Sequence, residues 1–99
     1  MGLSARDTLE RHMQAIVDWN MDLVVGDLIP EVAANAGPLV EELQRIQVTG
    51  YEFHSETKEG DNYVYNYKYI GKEGSLPLQS TWSLIGDNWK IIDAKVIEL

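Results

Sequence analysis

The chain has 99 residues, a formal net charge of -8 and no cysteine, a length that suits one hydrophobic core burying about 65% of the unfolded surface, with little to spare for a deep cavity. Its acidic excess is spread, with eight acids against three bases in residues 1–47 and eight against five in 48–99, which argues against a nucleic-acid partner because phosphates demand a basic face. The lack of cysteine excludes disulfides, thiol catalysis and cysteine-ligated zinc.

The opening MGLSARDTLE has neither the apolar stretch nor the cleavage site of a secretory signal, and Arg6 stands where a myristoylation motif needs Ser or Thr. No apolar run approaches the roughly 18 residues of a membrane span, so a cytoplasmic protein without a membrane partner is expected. Ser4 followed by Asp7 has the form of a capping box. From it a first helix is expected to run to Gly26, with Leu9, Met13, Ile16, Asn20, Leu23 and Val24 on one face and Asp7, Arg11, Asp18 and Asp22 on the other. A short second helix is entered through Pro30 and closes around Asn35 to Gly37. A third starts at Pro38, where Leu39, Leu43 and Ile46 recur at helical spacing.

After Gly50 the apolar period changes to two. Turn signals at Glu59-Gly60-Asp61, Lys72 to Ser75 and Gly86-Asp87-Asn88 then divide the remainder into four strands of an antiparallel meander. Pairing Gly71 with Leu76 sets Tyr69 opposite Leu78, Tyr67 opposite Ser80, Tyr65 opposite Trp82 and Tyr63 opposite Leu84, an aromatic face. The other face, with Lys68 opposite Gln79 and Asn66 opposite Thr81, is polar. On the first strand Tyr51, Phe53 and Ser55 are assigned to the apolar face and Glu52 and His54 to the outside, with a bulge at Gly50. The last strand reads two ways. A turn at Asp87-Asn88 turns Trp89, Ile91 and Asp93 to the core, whereas Ile92, Ala94 and Val96 indicate the opposite parity, and a bulge near Asp93 reconciles them. The reading is one α+β domain over residues 1–99, with helices in 4–47 laid on a sheet in 48–99.

The closing run from Thr81 to Ala94, TWSLIGDNWKIIDA, and the segment Val25-Gly26-Asp27-Leu28 after the first helix resemble the nuclear-transport-factor-two-like superfamily. This is the cystatin-like α+β cone that includes SnoaL-like polyketide cyclases, ketosteroid isomerases and scytalone dehydratase. The resemblance covers most of the chain in layout and about twenty residues in pattern. It implies a concave face between helices and sheet that holds a small molecule. The family usually has a strand or hairpin between its second and third helices, where Gly37-Pro38 here leads directly into a helix. No active-site motif of a named enzyme branch is present, so no catalytic residue is carried over.

Candidate site residues follow from chemistry. Asn20, an amide in an apolar stripe, needs a partner and is either a pocket-lining donor or a satisfied core amide. Asp93 is a general acid or base if desolvated among aromatics and a solvated surface acid if the bulge turns it out. The ladder Tyr63, Tyr65, Tyr67 and Tyr69, with Tyr51 on the adjacent strand, lines a cleft, packs as core or meets a second subunit. His12 lies at the edge of the first helix's stripe, and His54 is placed outside. No histidine or acid pair has metal-ligand spacing, and neither a nucleophile elbow nor a phosphate-binding glycine loop occurs. The expectation is therefore a homodimeric module, without metal or cofactor, that binds an apolar or aromatic small molecule through Asn20, Trp19, Tyr65, Tyr67 and Trp82. The alternatives are an isomerase-, dehydratase- or cyclase-type enzyme with Asp93 or His12 as general base, and an interaction domain using Ile70, Ile85 and Ile92.

Overall fold

A computed structural model describes residues 3–98; Met1, Gly2 and Leu99, the ends of the expected domain, lie outside the described residues. Helix α1 spans Ala5–Val17, and Ser4 caps it by accepting from the Asp7 amide. The single helix expected up to Gly26 is in fact two. The amide of Asn20 donates to Ala15 O and that of Trp19 to Ile16 O, the bond pair of a Schellman stop, with Trp19 in the left-handed region at φ 58°. Glycine is the usual residue there, so a tryptophan carries no local signal of a helix end. Asn20 then caps α2, Met21–Gly26, by accepting from the Leu23 amide.

Helix α3, Pro30–Ala34, and α4, Gly37–Ile46, each have proline in the first turn. The strands β1 Val48–Glu59, β2 Asn62–Gly71, β3 Gly74–Ile85 and β4 Asn88–Val96 pair in the order β1-β2-β3-β4. Four helices thus pack on one face of an antiparallel meander, an α+β fold. Among the described residues no helix is long and apolar enough to cross a membrane.

The register differs from the expected one in three places. Between β2 and β3 the turn is the two residues Lys72 and Glu73, so Tyr69 faces Leu76, Tyr67 faces Leu78, Tyr65 faces Ser80 and Tyr63 faces Trp82. The amides of Lys72 and Glu73 donate to the last carbonyls around α4, Gln47 O and Ile46 O. Contact with α4 therefore selects the tight turn. Because the partner moves by two residues, each side chain keeps its face. On β1 a bulge at His54 turns Ser55 to the outer face, where it accepts from Asn66 Nδ2. Glu56 moves opposite Tyr65 instead.

On β4 the turn is Gly86-Asp87, and Ile92 is the bulged residue between the pairs Ile91–Trp82 and Asp93–Thr81. Trp89 and Ile91 face the helices before the bulge and Ala94 faces them after it, while Asp93 points outward. The core unites Leu9, Met13 and Ile16 of α1 and Leu43 and Ile46 of α4 with Tyr65, Tyr67, Tyr69, Leu76, Leu78, Trp82 and Ile91 of the sheet. Helix α4 meets the sheet so closely that a Cβ on Gly71 would lie 2.0 Å from the carbonyl oxygen of Ile46.

Candidate functional site

Helices α2 and α3 are too short to cover the sheet with a continuous apolar stripe, and no residue of α3 is fully buried. They are held at a fixed height by the backbone instead. The amide of Ile91 donates to Asp27 O at 2.7 Å, and that of Ile29 donates to Ile91 O at 3.2 Å. Beneath them lies a cleft of about 200 Å³ walled by apolar side chains from all four helices and the sheet, with Leu28, Leu39, Val40 and Ile91 among them. His12, Tyr67 and Tyr69 supply its polar groups.

His12 is buried, and its ring meets the Trp82 indole edge-on, with centroids 5.5 Å apart. Its Nδ1 lies 3.0 Å from Oδ2 of Asp27, itself 4% exposed, whose Oδ1 accepts from Arg11 Nη2 at 3.2 Å. A carboxylate only accepts, so Nδ1 carries the proton toward Asp27, and in the neutral ring Nε2 is left as an acceptor. The chain order places the two partners 15 residues apart, one on α1 and one at the C-cap of α2. Asp27 was missed as a chemical residue in the sequence. Its one local signal is that it is a lone acid inside the apolar run VVGDLIP.

Beneath the cleft, Ser80 Oγ accepts from the Tyr67 hydroxyl and from Trp82 Nε1, both at 2.9 Å. Burial raises the Tyr67 phenol to about 12 against the lowering effect of Ser80. Burial, then neighbouring Tyr67 and Tyr51, holds Tyr69 well above its ordinary range. The hydroxyl of Tyr69 is buried and has no hydrogen-bond partner among the described residues.

Of the residues expected to bind a ligand, Tyr67 lines this cleft. Trp82 lies in the core behind His12, and Tyr65 is elsewhere in the core, stacked on Tyr63 and crossed by Phe53. The Tyr65 phenol is raised by burial and then by Glu56. Trp19 projects into a separate open groove with Gln44, Gln47 and Lys72. Asn20 is exposed at its cap, because the helix ends before it and it never joins the apolar stripe. Asp93 is exposed on the outer side of the sheet. The isoleucines proposed as an interaction patch are dispersed. Ile70 pairs with Ser75 at one end of β3 and Ile85 ends the strand at the other, about 33 Å away at roughly 3.3 Å per residue. Among the described residues no group of three or more histidines and acids is placed to hold a metal.

No family model matches the chain, and no curated protein does. A solved structure is similar: a SEC-C motif containing protein from Rhodopseudomonas palustris, with a TM-score of 0.71 over 96% of this chain and 80% of that chain, at 11% identity. The likeness is one of fold. It extends over nearly the whole helix-and-sheet arrangement.

Proposed function

We propose that the chain is a small-molecule-binding module, of the nuclear-transport-factor-two-like kind, that holds an apolar or aromatic ligand in the cleft between α2, α3, α4 and the sheet. The observation that carries this reading is the cleft itself: about 200 Å³ of apolar-walled space in a chain of 99 residues. An apolar cavity of about 150 Å³ accepts benzene, so by proportion this one accepts about eight non-hydrogen atoms. The order of elements, helices followed by a meander with its aromatic face inward, supports the family. Ethylbenzene titrated into protein carrying labelled methyl groups tests it. Saturable shifts are expected at Val24, Leu39, Leu43 and Ile91 and none at Leu84 or Val96, and Ala36→Phe, which fills the cleft, abolishes them. Shifts scattered over the surface, or no saturable binding, refute the reading.

One observation favours a second reading, an enzyme using general-base chemistry. The His12–Asp27 pair orients an imidazole at the cleft wall with Nε2 as its free acceptor. In that reading Nε2 removes a proton from the carbon next to a carbonyl and returns it, an isomerase-like step. Deuterium exchange from heavy water into the methyl group of acetophenone, lost in His12→Gln, is its expected signature. A rate equal to that of buffer alone removes it.

A further inference from the structure

We infer that the cleft selects a neutral ligand carrying a hydrogen-bond acceptor, a carbonyl oxygen foremost, and that the hydroxyl of Tyr69 receives it. The inference rests on the binding reading above and adds the chemical class of the ligand.

Tyr69 is 1% exposed, lines the cleft, and has a buried hydroxyl with no partner. Native folds pair nearly all such groups, so an unpaired one calls for a cause. Its neighbour shows the contrast. The hydroxyl of Tyr67, also on the cleft, is bound to Ser80 Oγ. Tyr69 thus retains an unused donor, covered in the empty protein, at the wall of an apolar cleft, and a ligand oxygen that reaches it forms a bond that the empty protein lacks.

Charge decides what kind of oxygen. Burial keeps the Tyr69 phenol protonated across the physiological range, so the donor is neutral. Among the described residues no lysine or arginine lines the cleft. The guanidinium of Arg11 binds Asp27 from the half-exposed side, and the ammonium of Lys90 is bound to the carbonyl of Gly26. Behind the wall the group bound to His12 is the Asp27 carboxylate. A ligand carboxylate entering here loses its hydration and gains no cation in return, a heavy cost in an apolar site. A ketone loses little hydration and gains one hydrogen bond.

Ethylbenzene, acetophenone and benzoate have nearly the same size and differ in this one respect. Their dissociation constants are measured by methyl shift titration for the wild-type chain, for Tyr69→Phe and for Tyr65→Phe. The last removes a tyrosine hydroxyl from the core that does not line the cleft. The wild type is expected to bind acetophenone about tenfold more tightly than ethylbenzene, the worth of one neutral hydrogen bond, and benzoate at least about tenfold more weakly than acetophenone. Tyr69→Phe is expected to bring the acetophenone-to-ethylbenzene ratio to about one with ethylbenzene binding unchanged, while Tyr65→Phe keeps the preference. Equal binding of ethylbenzene and acetophenone by the wild type overturns the inference but leaves the cleft reading standing. So does a preference that survives Tyr69→Phe, or benzoate that binds as well as acetophenone. Binding of none of the three overturns the cleft reading itself.

Discussion

Replacing Ser80 by alanine removes one oxygen and strands two donors. Ser80 is fully buried, and its Oγ takes the Tyr67 hydroxyl and the Trp82 indole N–H, each at 2.9 Å, from rings that are themselves buried. Two lone pairs suit two donors, so the acceptor capacity of Ser80 Oγ is filled. Each donor left without a partner in the core costs about 1–3 kcal/mol. The alanine methyl sits where the serine methylene was, so packing changes little. The expected loss is about 2–6 kcal/mol, a large fraction of the roughly 5–15 kcal/mol that holds a typical domain. At about 4–8 °C per kcal/mol for a domain of this size, melting falls by at least about 8 °C. Urea unfolding followed by far-ultraviolet circular dichroism measures it without relying on the tryptophans. In the background of Tyr67→Phe one of the donors is already gone, so Ser80→Ala there is expected to cost about 1 kcal/mol less. A loss under about 0.5 kcal/mol, or strict additivity in the cycle, would falsify the shared-acceptor geometry.

Other expected outcomes use the same unfolding assay. Gly71→Ala drives a Cβ to 2.0 Å from Ile46 O and 2.7 Å from its carbonyl carbon, both main-chain atoms, so a loss above about 3 kcal/mol or failure to fold is expected; near-wild-type stability contradicts the close approach of α4. Gly26→Ala, with open space at its Cβ in α2, is expected to gain about 0.5–1 kcal/mol. Asp27→Ala leaves His12 Nδ1 buried without its acceptor and is expected to cost about 3–5 kcal/mol, whereas Asp27→Asn keeps an acceptor and costs clearly less; equal losses point to simple packing. Burial raises Tyr67 to about 12 and holds Tyr69 well above its ordinary range, while the unfolded chain releases these protons near 10. The native state then holds more protons above that pH, so stability is full below about pH 10 and falls as pH rises through about 12. Urea midpoints at about pH 9 and pH 11.5 should differ in that direction, and less so in Tyr67→Phe.

Much of the frame was legible because its signals are local. Ser4 with Asp7, Pro30, Pro38 and the glycines of the turns act within a few residues, and the change of apolar period after Gly50 separates helix from strand without reference to the fold. The facing of Tyr65, Tyr67, Tyr69 and Trp82 toward the helices follows from parity alone and survived a shift of two residues in partner. The stop at Trp19 was hidden because the left-handed cap usually falls to glycine, and Asn20 was misplaced as a consequence. Ser55 and Asp93 depended on bulges at His54 and Ile92, where one unpaired residue reverses every side chain beyond it.

The site lay further from view than the frame. His12 was visible as a stripe-edge histidine, but Asp27 becomes its partner only when the turn after α2 is stitched to Ile91. The orphaned hydroxyl of Tyr69 exists only because its ring is buried where no other polar group reaches it. Sequence by itself determined the helices-then-meander order, the aromatic inner face and the acidic, cysteine-free chemistry, since these rest on composition and on interactions between near neighbours. Tertiary structure alone decided the break at Trp19, the two bulges, the His12–Asp27 pair and the cleft. Each depends on groups distant in the chain, whose pairing is chosen by the free energy of the assembled core.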